Sequence, residues 1–173
     1  MPLPVDTPVS SSVQPSLLPV FLTIDQTTSL FHLEADGLSI SLPVGYELVA
    51  SRYFRHTPPN YDDIEYAINY IEDEIEKVVK RIPALNAELV TEVGFIRRIA
   101  LLCGCPDEPQ IRLGRDTLER LFGRYAEIAV GRPPRADETD VSPTFYAQLL
   151  IFREFMHHLK FEQIVINRSA VAD

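Results

Sequence analysis

A chain of 173 residues, 46% apolar and 24% charged, has the composition of a single globular domain with enough apolar material to build a core. Sixteen Lys and Arg against 25 Asp and Glu leave a net charge of −9, which argues against nucleic acid or an anionic membrane as the main partner, since both repel an acidic surface. No run approaches the ~20 consecutive apolar residues of a membrane span. The first basic residue is Arg52, so the start lacks the positive region of a secretory signal, and Cys103 and Cys105 are too few and too close to staple a secreted fold. A cytoplasmic protein is expected.

Residues 1–19 hold five prolines (Pro2, Pro4, Pro8, Pro15, Pro19), a run of three serines from Ser10 and no glycine. Proline fixes φ and removes a backbone donor, so this segment is expected to be a flexible leader outside any ladder, with one ordered domain over 20–173. Residues 20–25 form a β-rich run, residues 30–35 a second, and Asp36-Gly37 is a strong hairpin turn into residues 38–42, which alternate apolar and polar with period two. Three such strands predict an antiparallel meander.

Tyr61, Ile64, Ile68, Ile71, Ile75, Val78 and Ile82 then recur at spacings of three and four, which lines one face of a long helix. Asn60 is its expected N-cap, Asp62 and Asp63 suit its first turn, and Lys77, Lys80 and Arg81 suit its last turns before Pro83. Glu72, Asp73, Glu74 and Glu76 scatter over its outer side and predict a solvated face. Residues 88–91 suggest a short strand and 94–102 a helix ending at Gly104. A third helix is expected over 116–130, with Leu118, Leu121, Phe122, Tyr125, Ile128 and Ala129 as its apolar stripe, and a fourth over 143–160. Residues 163–166 close the chain as a strand. The order βββ-α-β-α-α-α-β is that of an α/β domain.

Several short motifs fall in register with this order. Thr23-Ile24-Asp25 ends the first strand, and Ser41-Leu42-Pro43-Val44-Gly45 follows the third. Leu48 and the stretch 52–54 lead to the proline-rich step before the long helix. Leu113-Gly114-Arg115-Asp116-Thr117-Leu118-Glu119-Arg120-Leu121, Arg135-Ala136-Asp137 and Glu162-Gln163-Ile164-Val165-Ile166 come later. Taken together over residues 20–171, they resemble the second actin-like domain of the exopolyphosphatase/guanosine pentaphosphatase (Ppx/GppA) family. That resemblance implies an actin-like (ribonuclease-H-like) α/β fold, a mixed sheet with an antiparallel three-strand start and helices packed against it.

The departures from the family pattern bear on chemistry. A glycine-rich loop cradles phosphate because bare backbone lets several N–H groups converge on the anion. Where the family carries Asp-Ile-Gly-Gly-Gly-Ser, this chain has Gln26-Thr27-Thr28-Ser29-Leu30 after Asp25, and His32 replaces a Glu. The second loop of the family falls at Val90-Thr91-Glu92-Val93-Gly94, where Gly94 alone is kept and Glu92 would repel phosphate. The family's preceding domain, which supplies the other phosphate loop and the general base, has no counterpart in the 19 residues before the first strand. What the resemblance implies is thus a truncated domain without hydrolase activity of its own, acting in binding or regulation. The alternatives are a polyphosphate or guanosine pentaphosphate phosphohydrolase completed by a partner chain, and a homo-oligomeric scaffold. The phosphate-binding candidates are Asp25, Thr27, Thr28, Ser29, Gly94, Arg112 and Arg115. No catalytic residue, resident metal or cofactor is expected, with Mg²⁺ entering only if a partner completes the cleft. The partner expectation is a second chain, or self-association through the face left by the missing domain.

Three other constellations carry less. Glu154-x-x-His157 has half the spacing pattern of a dinuclear carboxylate site, but no second pair exists. His157 and His158 point about 100° apart on a helix, so no metal site is expected from them. Cys103-Gly104-Cys105 reads as reduced thiols at a helix end. Residues 112–135 carry Arg112, Arg115, Arg120, Arg124, Arg132 and Arg135 against Asp116, Glu119 and Glu127. Surface pairing, for instance Asp116 with Arg120, is the expected use of this local excess, with a weak polyanion site as the alternative.

Overall fold

The computed structural model describes residues 16–170. Six strands, β1 (Leu18–Ile24), β2 (Ser29–Leu33), β3 (Leu38–Leu42), β4 (Ala87–Thr91), β5 (Gln110–Gly114) and β6 (Gln163–Asn167), make one sheet in the order β3-β2-β1-β4-β6-β5. The first three pair antiparallel as the meander expected from their alternation, and β2–β3 closes over Gly37 at φ +61°, a backbone position that suits glycine. β4 runs parallel to β1 and β6 parallel to β4, while β5 is an antiparallel edge on β6.

Strand alternation sends one set of side chains into the core. Leu22, Phe31, Ile40, Leu89, Ile166 and Ile111 are buried, whereas Thr23, Ser39, Ser41 and Arg112 on the opposite face are exposed. The helices α1 (Tyr46–Tyr53), α2 (Tyr61–Glu76), α3 (Gly94–Leu102), α4 (Arg115–Ala129) and α5 (Pro143–His158) cover the buried face. Helix α5 packs against all four others and is buried nearly all round, with Ile151, Phe152, Phe155 and Met156 fully enclosed. Phe155 meets Phe31 edge-on at 5.1 Å, which locks this helix to the meander. The result is a mixed, two-layer α/β domain. No helix among the described residues is long and apolar enough to cross a membrane.

Four differences from the sequence reading have physical causes. β1 starts at Leu18, and Pro19 lies opposite Glu88 in the parallel ladder with β4; proline is tolerated in the first positions of a strand, where its missing donor is not needed. The remainder of the expected leader, residues 1–15, lies outside the described residues. Helix α2 ends at Glu76 and passes into a 3-10 turn at Val79–Arg81, although Val78 and Ile82 stay buried. The adjacent β-branched Val78 and Val79 disfavour continuation of the α-helix. Helix α1 and strand β5 are absent from the elements expected above. α1 spans only eight residues and β5 only five, too short for a helical or strand period to stand out from the surrounding sequence. The N-cap expectation holds: Asp63 N donates to Asn60 Oδ1 at 2.9 Å and Asp63 Oδ2 accepts from Asn60 N at 3.3 Å.

Candidate functional site

The parallel strands β1 and β4 deliver their C-terminal ends to one edge of the sheet, where Leu22 stands opposite Thr91. The β1–β2 loop and the N-terminus of α3 therefore share that edge, and Tyr46 of α1 stacks edge-on against Phe95 of α3 at 5.6 Å above it. Four of the seven phosphate-binding candidates, Asp25, Thr27, Thr28 and Gly94, come together here.

The first loop is closed on itself. Asp25 Oδ1 accepts from the amides of both Thr27, at 2.9 Å, and Thr28, at 2.7 Å. A carboxylate just past the end of β1 therefore already holds two amides of the loop. The backbone carbonyls of the loop are held in the same way. Tyr46 N donates to Asp25 O at 3.2 Å, and Glu47 N and Leu48 N donate to Gln26 O at 2.9 and 3.0 Å, so the free N–H groups of α1 point at the loop. Ser29, the fifth candidate, is buried and donates its hydroxyl to Val44 O at 2.5 Å. The threonine hydroxyls, 3.3 Å apart, and the exposed Gln26 are polar groups left on the loop.

The Ser41-Leu42-Pro43-Val44-Gly45 segment is what builds this closure. A Cβ on Gly45 would lie 2.3 Å from Thr27 N, so glycine alone lets the start of α1 approach the loop this closely. Val44 is fully buried, and Tyr70 of α2 donates its hydroxyl to Pro43 O. In the second loop Thr91 Oγ1 donates to Leu22 O at 2.8 Å and accepts from Val93 N at 3.1 Å. Gly94 begins α3 without a positive φ, and a Cβ there would make only an ordinary contact, 3.8 Å from Arg98 Nη1. Neither sterics nor backbone demands a glycine there.

The arginine candidates lie elsewhere. Arg112, on the exposed sheet face, reaches across β6 to Glu88 Oε1 on β4 at 3.0 Å. Arg115 follows Gly114, which is opposite Gln163 at the start of β6, and so sits at the other edge of the sheet from Asp25. Three of the six arginines, Arg112, Arg124 and Arg132, are held in ion pairs. Arg132 grips Glu138 through Nη1 at 2.9 Å and Nη2 at 2.8 Å, Arg124 Nε adds a third contact at 3.1 Å, and Arg135 N a fourth at 2.7 Å. Glu138 is 1% exposed, and the Arg132 guanidinium holds its carboxyl down to about 2. The expected Asp116–Arg120 pair does not form; Arg120 donates instead to Thr117 Oγ1 at 3.1 Å. His32 pairs across strands with Ser39 Oγ at 2.9 Å.

One cluster escaped the sequence reading. His158, not His157, turns towards Glu154, and Glu72 of the supposed solvated face joins them. Burial pushes the Glu154 carboxyl upward against the opposing pull of Arg153 and His158. No signal short of the tertiary fold could have found this cluster, because Glu72 and His158 are 86 residues apart.

Six strands in this order, with the antiparallel meander leading into parallel β4 and β6 and helices packed on the sheet, have the actin-like fold. No protein-family model matches the sequence, and no curated protein matches it. Among solved structures, the chain is similar to the Aquifex aeolicus Ppx/GppA phosphatase in its type II variant (TM-score 0.69, 20% identity, 91% of this chain and 55% of that one). It is also similar to an exopolyphosphatase-like protein (TM-score 0.69, 12% identity, 92% and 57%) and to an exopolyphosphatase from Cytophaga hutchinsonii (TM-score 0.65, 12% identity, 89% and 54%). The fold expected from the motifs is thus the fold observed, and the chain spans about half the length of the structures it matches.

Proposed function

We propose that this actin-like domain does not hydrolyse phosphoanhydride bonds by itself and acts in binding or regulation. The observation that carries the reading is the Asp25 carboxylate on the Thr27 and Thr28 amides. Phosphoryl transfer rests almost entirely on positioning and on donors aimed at developing negative charge. A loop that presents a carboxylate there offers repulsion in place of stabilisation. Any retained anion affinity would come from the threonine hydroxyls and the N-terminus of α3. A cytoplasmic location accords with Cys103 and Cys105 as free thiols.

The test is calorimetric titration of the pure chain with polyphosphate and with guanosine pentaphosphate, with and without Mg²⁺, following phosphate release in the same samples. The expected result is no release. Robust release that Asp25→Ala abolishes would overturn the reading.

A second reading draws on coverage, since the chain matches only about half of each solved phosphatase. In it, a partner chain supplies the other wall of a cleft, with Mg²⁺, and the pair hydrolyses polyphosphate or guanosine pentaphosphate. Mixing the chain with a complete Ppx/GppA protein should then give a complex and a gain in turnover; the absence of a complex sinks this reading. Sedimentation of the pure chain tests self-association through the exposed sheet face, where Phe21 is 38% exposed.

A further inference from the structure

Helices α2 and α5 meet at a cluster that the phosphate-loop edge does not use. His158 Nε2 lies 2.9 Å from Glu72 Oε1 and 2.9 Å from Glu154 Oε2, and the three candidate ligand atoms all fall within 4.8 Å of one another. Glu154 and His158 are one turn apart on α5, so their side chains share a face, and Glu72 enters from α2.

The decisive atom is Glu154 Oε2. Glu154 is 0% exposed, and this oxygen is buried with no hydrogen-bond donor. His158 Nε2 can carry one proton, and its hydrogen-bond geometry serves Glu72. A second buried carboxylate oxygen is left facing the same nitrogen without a proton of its own. Buried carboxylates are ordinarily satisfied, and this one is aimed at two other ligand atoms. Its partner oxygen is already fixed: Arg153 Nη1 donates to Glu154 Oε1 at 2.5 Å, while Arg153 Nε and Nη2 hold Glu119 at 2.9 and 3.2 Å. That is the outer-shell support that orients a metal-binding carboxylate.

We propose that Glu72, Glu154 and His158 bind a divalent transition-metal ion that ties α2 to α5. A neutral imidazole and two carboxylates match its charge, and one nitrogen with two oxygens suits zinc, manganese, iron or cobalt better than the all-oxygen preference of magnesium and calcium. His158 also lines an open depression of about 690 Å³ with Arg115, Asp116, Glu119, His157 and Lys160, which brings solvent to the imidazole side of the cluster. The ion relieves the conflict at Glu154 Oε2 by giving both carboxylates and the imidazole lone pair one common acceptor.

The full chain, stripped with chelator, is titrated with Zn²⁺ and with Co²⁺, reading heat, the visible absorption of Co²⁺ and the melting temperature. One ion per chain should bind and raise the melting temperature. His158→Ala and Glu72→Gln, both at half-buried positions whose folding is checked by circular dichroism, should weaken binding about 100-fold or more. His157→Ala should leave it unchanged. No saturable binding, binding that survives both substitutions, or equal loss in His157→Ala would each overturn the proposal. A pH-dependent melting temperature without any metal effect would also overturn it, by assigning the cluster to a shared proton.

Discussion

The Asp25 carboxylate accepts the Thr28 amide at 2.7 Å, so the β1–β2 loop is ordered by the side chain of its own first residue. The same oxygen takes the Thr27 amide. Asp25→Ala should free both donors and cost about 1 kcal/mol, the net worth of such bonds at an exposed site. Amide hydrogen exchange at Thr27 and Thr28 should quicken about fivefold, in line with that energy. Polyphosphate affinity should rise, because a negative charge leaves and two donors open. A fall in affinity would instead make Asp25 a contributor to anion binding.

Two glycines that look alike in sequence should respond in opposite ways. Gly45→Ala places a Cβ 2.3 Å from Thr27 N, against backbone that has little freedom to move. A loss of about 3 kcal/mol or more in urea unfolding is expected, of the order of other forced overpacking. Gly94→Ala, whose Cβ makes only an ordinary contact at the start of α3, should be neutral or stabilise by up to about 1 kcal/mol through helix propensity. Equal losses at the two positions would contradict the packing described.

Glu138 anchors the segment after α4 through Arg132 and Arg124. Its carboxyl lies at about 2 in the folded chain against an ordinary value of 4.5. A depressed folded value means that its contribution is present above the unfolded value and is lost as the pH falls from about 4.5 towards 2. Glu138→Gln should therefore destabilise the protein at neutral pH by about 3 kcal/mol, as when one partner of a buried pair is removed. The variant should also show a flatter acid limb in stability against pH. An unchanged acid limb would show that other carboxylates govern it.

Cys103 caps α3, and burial pushes its thiol up to about 12 from 9.0, with Cys105 nearby adding to the effect. The thiolate is the reactive form, so labelling of native Cys103 by a disulfide reagent near neutral pH should be at least about tenfold slower than in the unfolded chain. Mass spectrometry of partly labelled protein reads this directly, and rapid native labelling at Cys103 would contradict the burial seen.

Local chemistry was legible wherever the next few residues decided the outcome. The period-two run over β3, the Asp36-Gly37 turn, the Asn60 cap and the start of α5 at residue 143 each state their structure within four or five positions. The Ser41-Leu42-Pro43-Val44-Gly45 motif also pointed to the right fold, although its role, letting α1 press on the first loop, shows only once Thr27 is placed beside Gly45. The candidate residues were legible as types and not as a site. Arg112 and Arg115 carry charge in the sequence, yet β5 sets one on the exposed face and the other at the far edge of the sheet.

What the sequence by itself determined was the set of elements with strong periodicity, the loss of the loop glycines and the acidic balance, because these depend on neighbours in the chain. The tertiary structure alone decided the sheet order, the turning of Asp25 onto its own loop, and the meeting of Glu72 with Glu154 and His158. Side chains 86 residues apart come within 2.9 Å only when two helices pack, and packing is a property of shape and burial across the whole chain, which no local spacing encodes.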